Sequence, residues 1–343
     1  MPSIDRNRGR ASWVASLAAG ACLTIGSLAA LAPISAQAQT PVTLRVDVFF
    51  YGSHVPMLYG IVDGVYKKHG LDVTAQTGRG SATTIQTVAN VSDQFGFADG
   101  GTLVRLAAQG VRAKQIVGIL QLNPMMVFTM PGTGVNAPKD LNGKTGGFSP
   151  GSSPEQLFPA FAKKVGIDLN TIKRVSVDIP TRDNLFVAKQ TEFSFGYLVT
   201  QLPLLQERCG CTLNVMRYAD HGMTAVSNGI QVSDKYAAEN PDVVRRFARA
   251  TVEAIDAAMK NEARAIDAFF EYAKGTQLSR NVITQQWQQT IKLLRTEATA
   301  NKPLGVMDEG DWQKSIDLLV EFADVPKGAV TPGMVYTNQY LVQ

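Results

Sequence analysis

From Leu44 onward, short apolar runs alternate with stretches of helical periodicity, and this alternation constrains the fold more than any other feature of the chain. "TLRVDVFF" (43–50) reads as a strand, after which Met57, Leu58, Ile61, Val62, Val65 and Tyr66 fall on one helical face. A strand at "LDVTAQ", a helix through "ATTIQTVANV", a strand at "FGFAD", a helix at "GTLVRLAAQG" and strands at "KQIVGILQ" and "MMVFTM" follow. Strand and helix at this spacing predict parallel pairing between helical layers, an α/β fold. Glycine, proline and asparagine then crowd together over 131–147, which marks a boundary, and a second α/β set begins. There Ser153 reads as an N-cap, with Pro154 at the first helical position and Gln156 at the third. Strands at "IKRVSVDI", "FSFGYLVT" and "TLNVMRY" follow it. After Asp220-His221-Gly222 the character turns helical. Asn240-Pro241-Asp242 opens a long helix with an apolar stripe of Val244, Phe247, Ala248, Thr251, Ile255, Ala258 and Met259, and further helices are predicted at 282–297 and 308–322.

The first 38 residues stand apart. Arg6, Arg8 and Arg10 precede an almost wholly apolar or small stretch from Trp13 to Leu31, and Ala36-Gln37-Ala38 offers an A-x-A cleavage site. This pattern reads as a secretory signal peptide, with the mature chain starting near Gln39; an uncleaved anchor is the alternative. What remains is about 300 residues, enough for two lobes rather than one small core. The chain carries 33 Lys and Arg against 29 Asp and Glu, and three of the arginines lie in the leader. The rest is close to neutral and holds no basic stripe for nucleic acid. Two cysteines, Cys209 and Cys211, follow the leader. A C-x-C pair closes only a small ring, which an oxidising compartment permits, and whether it is oxidised stays open.

In an open α/β sheet a ligand meets the carboxyl ends of the strands, where helices start and N–H groups point outward. Four stretches offer such starts: Tyr51-Gly52-Ser53-His54, Gly78-Arg79-Gly80-Ser81, Asp99-Gly100-Gly101-Thr102 and Ser149-Pro150-Gly151-Ser152-Ser153. Small residues allow close approach, hydroxyls donate or accept, and helix starts favour negative charge. Each stretch is also an ordinary capping turn when taken singly. Tyr51 and His54 supply ring faces, and Arg79 a partner for a carboxylate, sulfonate or phosphate. Gly147-Phe148-Ser149-Pro150-Gly151 fits the G-x-S-x-G hydrolase elbow. In that motif the residue after the serine must give an oxyanion-hole N–H, and Pro150 has none. With three histidines in all (His54, His69, His221), no H-E-x-x-H and no pair of C-x-x-C units, a metal centre finds no support, and no cofactor is implied.

His54-Val55-Pro56, "GVYKKHGLDV" (64–73), "DQFGFAD" (93–99), "APKDLNGKTGGFSPGSS" (137–153), "NPDVVRRFARAT" and "TNQYL" together resemble the periplasmic solute-binding proteins for nitrate, sulfonate, taurine and thiamine-pyrimidine compounds. The resemblance implies a two-lobed type II periplasmic binding protein, with 41–132 and 222–343 in lobe one and 133–221 in lobe two. Hinge closure would trap a solute between the lobes. It implies that Tyr51, Ser53, His54, Gly80, Ser81, Asp99, Gly100, Gly151, Ser152 and Ser153 line the cleft, with Tyr197 added from lobe two; Arg79 and Ser149 stay candidates from the reading of the loops themselves. His54 matches a position where pyrimidine binders also carry histidine. The expectation is a monomeric, non-catalytic periplasmic receptor that captures a sulfonate, an aromatic acid or a pyrimidine-like compound and delivers it to an ABC permease in the inner membrane. The alternatives are a solute-sensing module for a signalling partner and an exported hydrolase using Ser149.

Overall fold

The computed structural model describes residues 39–341, so the leader lies outside the described residues. In chain order the strands are β1 (Thr40–Val46), β2 (Leu71–Gln76), β3 (Phe95–Ala98), β4 (Ala113–Gly118), β5 (Met125–Thr129), β6 (Thr145–Phe148), β7 (Lys173–Ser176), β8 (Phe193–Tyr197), β9 (Asn214–Arg217) and β10 (Gly229–Ser233). They form two five-stranded sheets, ordered β2-β1-β3-β10-β4 and β7-β6-β8-β5-β9. Burial follows position. Edge strand β2 buries Leu71, Val73 and Ala75 and exposes the residues between them. Inner strands β3 and β10 are buried throughout, as expected between helical layers.

The two sheets share one plan. In each, four strands run in one direction, and the fourth position is taken by a strand running antiparallel to its neighbours: β10 between β3 and β4, and β5 between β8 and β9. These two strands follow the passages between sheets. The chain crosses outward between Gly118 and Met125 and returns between Arg217 and Gly229. Two sequence expectations change accordingly. Pairing is mixed rather than all parallel, and the outward crossing comes before β5 rather than at residue 132. The Gly/Pro-rich segment 131–147 is a connection inside the second lobe, and β6 begins within it. Gly146 belongs there because a Cβ would stand 2.2 Å from the Phe193 ring. Strand β10 and the helix Glu262–Tyr272 had no sequence-stretch counterpart in the expected elements.

The helix Pro241–Lys260 presents the expected stripe: Val244, Phe247, Ala248, Thr251, Ile255 and Ala258 are buried, and Phe247 stacks on Phe95 at 3.8 Å between centroids. In the second lobe Phe158 and Phe148 each pack on Phe195 at 4.9 Å. Each such ring contributes about 1.5–3 kcal/mol by leaving water. The helix Ser153–Val165 starts one residue earlier than expected, with Ser152 in the cap position. This shift frees the Ser153 hydroxyl for the opposite lobe.

Candidate ligand-binding cleft

The carboxyl ends of the parallel strands in both sheets face a common cavity of about 30 Å³. From the first lobe come Asp47, Val48 and Ser53 after β1, and Gly80 and Ser81 after β2. From the second come Ser152 and Ser153 after β6, Arg182 after β7, and Tyr197, Thr200 and Gln201 around the end of β8. Two wider recesses lie near it, the first sharing Val48 and Ile179 with its wall. One of about 610 Å³ passes Arg79, Ser149 and Pro150, and one of about 480 Å³ passes Tyr51, Leu204, Arg208 and Tyr272; Phe49 borders both.

The lobes meet directly at this cavity. Gly80 adopts φ +118°, and a Cβ there would come within 2.4 Å of the Gly151 carbonyl oxygen, so glycine alone permits the approach. The Gln286 side chain bridges the lobes, its Oε1 accepting from the Gly52 N–H (2.7 Å) and its Nε2 donating to the Thr200 carbonyl (2.7 Å). The Tyr197 hydroxyl donates to Asn228 Oδ1 across the cleft at 3.0 Å. Thr102 Oγ1 lies 2.8 Å from Asp99 Oδ2 and 3.0 Å from Ser153 Oγ. A charged acceptor takes the single Thr102 proton, which leaves the Ser153 hydroxyl to donate back to Thr102.

Of the residues singled out in the sequence, Ser53, Gly80, Ser81, Ser152, Ser153 and Tyr197 come together on the cavity, and Gly151 backs Gly80. Arg79 and Ser149 stand on the outer recess, Arg79 exposed and the buried Ser149 hydroxyl without a hydrogen-bond partner. Tyr51 packs its ring against Leu204 and Val282, and burial pushes its hydroxyl up from the ordinary tyrosine range. His54, Asp99 and Gly100 stand behind the wall. Gly100 packs against the Trp312 ring. Asp99 caps the helix Gly100–Ala108 through the Thr102 N–H (2.7 Å) and accepts from the Ser227 hydroxyl (3.1 Å); burial, opposed by these bonds, raises its pKa to about 6.

Two charged residues that carry the electrostatics of the cavity, Asp47 and Arg182, were not singled out. Asp47, 7% exposed, accepts from Asn228 Nδ2 through Oδ2 at 2.7 Å. Its Oδ1 has no hydrogen-bond partner. His54 Nδ1 accepts the Tyr51 N–H at 3.0 Å, so the ring proton sits on Nε2, 3.4 Å from that oxygen and not aligned with it. Arg182, 1% exposed, is fully matched: Glu155 and Asp183 both take its guanidinium N–H groups, the latter at 2.8 and 3.0 Å. A polar residue closing the apolar run "LRVDVFF" was the available signal for Asp47. The Arg182–Glu155 pair spans 27 positions and leaves no local signal. In the second lobe, Cys209 and Cys211 are joined in a disulfide at the end of the helix Gln201–Cys209.

Residues 52–265 match the family described as NMT1/THI5 like. The chain belongs to the NMT1/THI5-like family. Among curated relatives, the riboflavin-binding protein RibY of Chloroflexus aurantiacus is 23% identical over 320 residues, covering 91% of this chain and 89% of the relative. Among solved structures, the alkanesulfonate-binding protein SsuA of Xanthomonas axonopodis pv. citri, bound to MOPS, superposes with a TM-score of 0.63 at 14% identity, over 88% of this chain and 98% of that one. The periplasmic nitrate-binding protein NrtA of Synechocystis gives 0.63 at 11% identity, over 88% and 87%. These likenesses establish for this NMT1/THI5-like chain the two-lobed fold of periplasmic binding proteins. Its relatives are solute-binding proteins, and among the described residues no helix is long and apolar enough to cross a membrane.

Proposed function

We propose that this chain is an extracytoplasmic receptor that closes two lobes on a small organic solute and delivers it to an ABC importer. The observation that carries the proposal is the cavity walled by strand ends and helix starts of both lobes, with hydrogen bonds that join the lobes around it. A residual space of about 30 Å³ holds little more than a water molecule, so a solute of several heavy atoms enters only when the lobes part. Delivery to an importer and a periplasmic setting agree with the relatives and with the leader pattern, and a monomeric state is part of the proposal. The site residues we assign are Ser53, Gly80, Ser81, Ser152, Ser153 and Tyr197, with Arg79 at the outer opening. The relatives are named for riboflavin, alkanesulfonates and nitrate, and so give no single solute. A thermal-shift screen of sulfonates, aromatic acids, nitrate and pyrimidines on residues 39–343 tests the proposal. A true solute raises Tm in proportion to the logarithm of its concentration. A chain that gives no shift with any of them, yet turns over added esters or amides, would be an enzyme instead.

A further inference from the structure

Building on the receptor reading, we infer that Asp47 is the residue that selects the solute, and that the solute presents an N–H donor to it with a hydrogen-bond acceptor alongside. Asp47 lines the cavity, is more than nine-tenths buried, and keeps one carboxylate oxygen without a hydrogen-bond partner. A buried, unanswered carboxylate oxygen carries its full desolvation cost, which a donor on a bound molecule offsets. The rest of the wall fixes that oxygen in place. Asn228 holds Oδ2 at 2.7 Å, and His54, itself held by the Tyr51 N–H, stands 3.4 Å from Oδ1. Asn228 also receives the Tyr197 hydroxyl from the opposite lobe, so closure over a solute and the setting of Asp47 share one residue.

Charge balance points the same way. Arg182, the cation on the cavity, is already matched by Glu155 and Asp183, and the one group near Asp47 Oδ1 that can carry positive charge is His54, 3.4 Å away and outside hydrogen-bond geometry. Asp99, behind the wall, adds further acidity. A purely anionic solute would therefore meet the Asp47 charge with no matched cation beside it. Against this stand the first turns of the helices Ser81–Ala89 and Ser153–Val165, whose leading N–H groups lack intrahelical partners. Each helix start is worth about half a positive charge, so the two together roughly balance the Asp47 carboxylate and suit a neutral acceptor beside the donor. Arg79, on the outer recess and exposed, is placed to meet a solute on entry rather than to hold it.

The test is isothermal titration of the mature chain, wild type and Asp47→Asn, with two groups of probes: cytosine, benzamidine and guanidine as donors, and methanesulfonate, nitrate and benzoate as acceptors only. Because Asp47→Asn removes an unanswered buried charge without changing shape, its urea unfolding midpoint should match or exceed wild type, which separates lost binding from lost fold. The expected result is that a donor-bearing probe binds wild type and that its affinity falls tenfold or more in Asp47→Asn. If an acceptor-only probe binds and Asp47→Asn leaves its affinity unchanged or improved, or a donor probe binds both proteins equally, the Asp47 assignment is wrong and the receptor reading stands. If no probe binds wild type, the receptor reading loses its support and the assignment falls with it.

Discussion

Two buried charged residues reach the cleft from opposite lobes and are built in opposite ways. On the second lobe, Arg182 is enclosed by Glu155 and Asp183, and its charge is answered within the protein. On the first lobe, Asp47 has one oxygen held by Asn228 and the other buried without a hydrogen bond, 3.4 Å from His54 Nε2. Burial at a cleft therefore serves two ends. A matched charge fixes the wall, and an unmatched one waits for a partner from outside. Removing one partner of a matched buried pair is costly because the others stay behind uncompensated, whereas neutralising an unmatched charge relieves a cost already present.

Breaking the matched side should give the largest effect. Arg182→Leu leaves Glu155 and Asp183 buried without their cation, and should lower stability by about 3–5 kcal/mol in urea unfolding. A loss well under 1 kcal/mol would remove the distinction between the two walls. Next comes the acid behind the open wall. Burial raises the Asp99 carboxyl to about 6, against about 3.9 in an unfolded chain. The folded protein thus holds a proton across roughly pH 4–6 that the unfolded chain has released. Stability from this group is complete below about pH 4 and is lost as pH rises through about 6, by on the order of 3 kcal/mol. Asp99→Asn should flatten that slope in pH-dependent thermal unfolding, and an unchanged slope would place the titration elsewhere. A smaller change sharpens how the two walls meet. Gly80→Ala forces a Cβ toward the Gly151 carbonyl at a positive φ, which should cost about 1–2 kcal/mol in the closed form and lower solute affinity about tenfold or more. Small-angle scattering should then show an expanded radius of gyration; a radius equal to that of wild type would mean that the lobes do not close through this contact.

The two walls also differ in how far they could be read from sequence. Periodicity and the glycine-rich turns led to Ser53, Gly80, Ser81, Ser152 and Ser153, because strand end, small residue and helix start follow one another locally at each of them. His54 and Asp99 carried the same local pattern but face inward, one behind Asp47 and one as a cap, since side-chain direction depends on packing that no short motif encodes. The crossing before β5 was hidden for a related reason. An apolar run such as 125–130 suits an inner strand of either sheet, and only its pairing with β8 and β9 decides which. The matched charge of Arg182 depends on Glu155 in a different helix, so it becomes visible only once the lobe is assembled.

The most direct measurement is native mass spectrometry of residues 39–343, exported and purified without refolding. A receptor that closes both lobes on a solute retains one small molecule per chain, released on unfolding and depleted in Asp47→Asn. A wild-type protein that carries no adduct and gains none from the donor or acceptor probes would contradict the central claim.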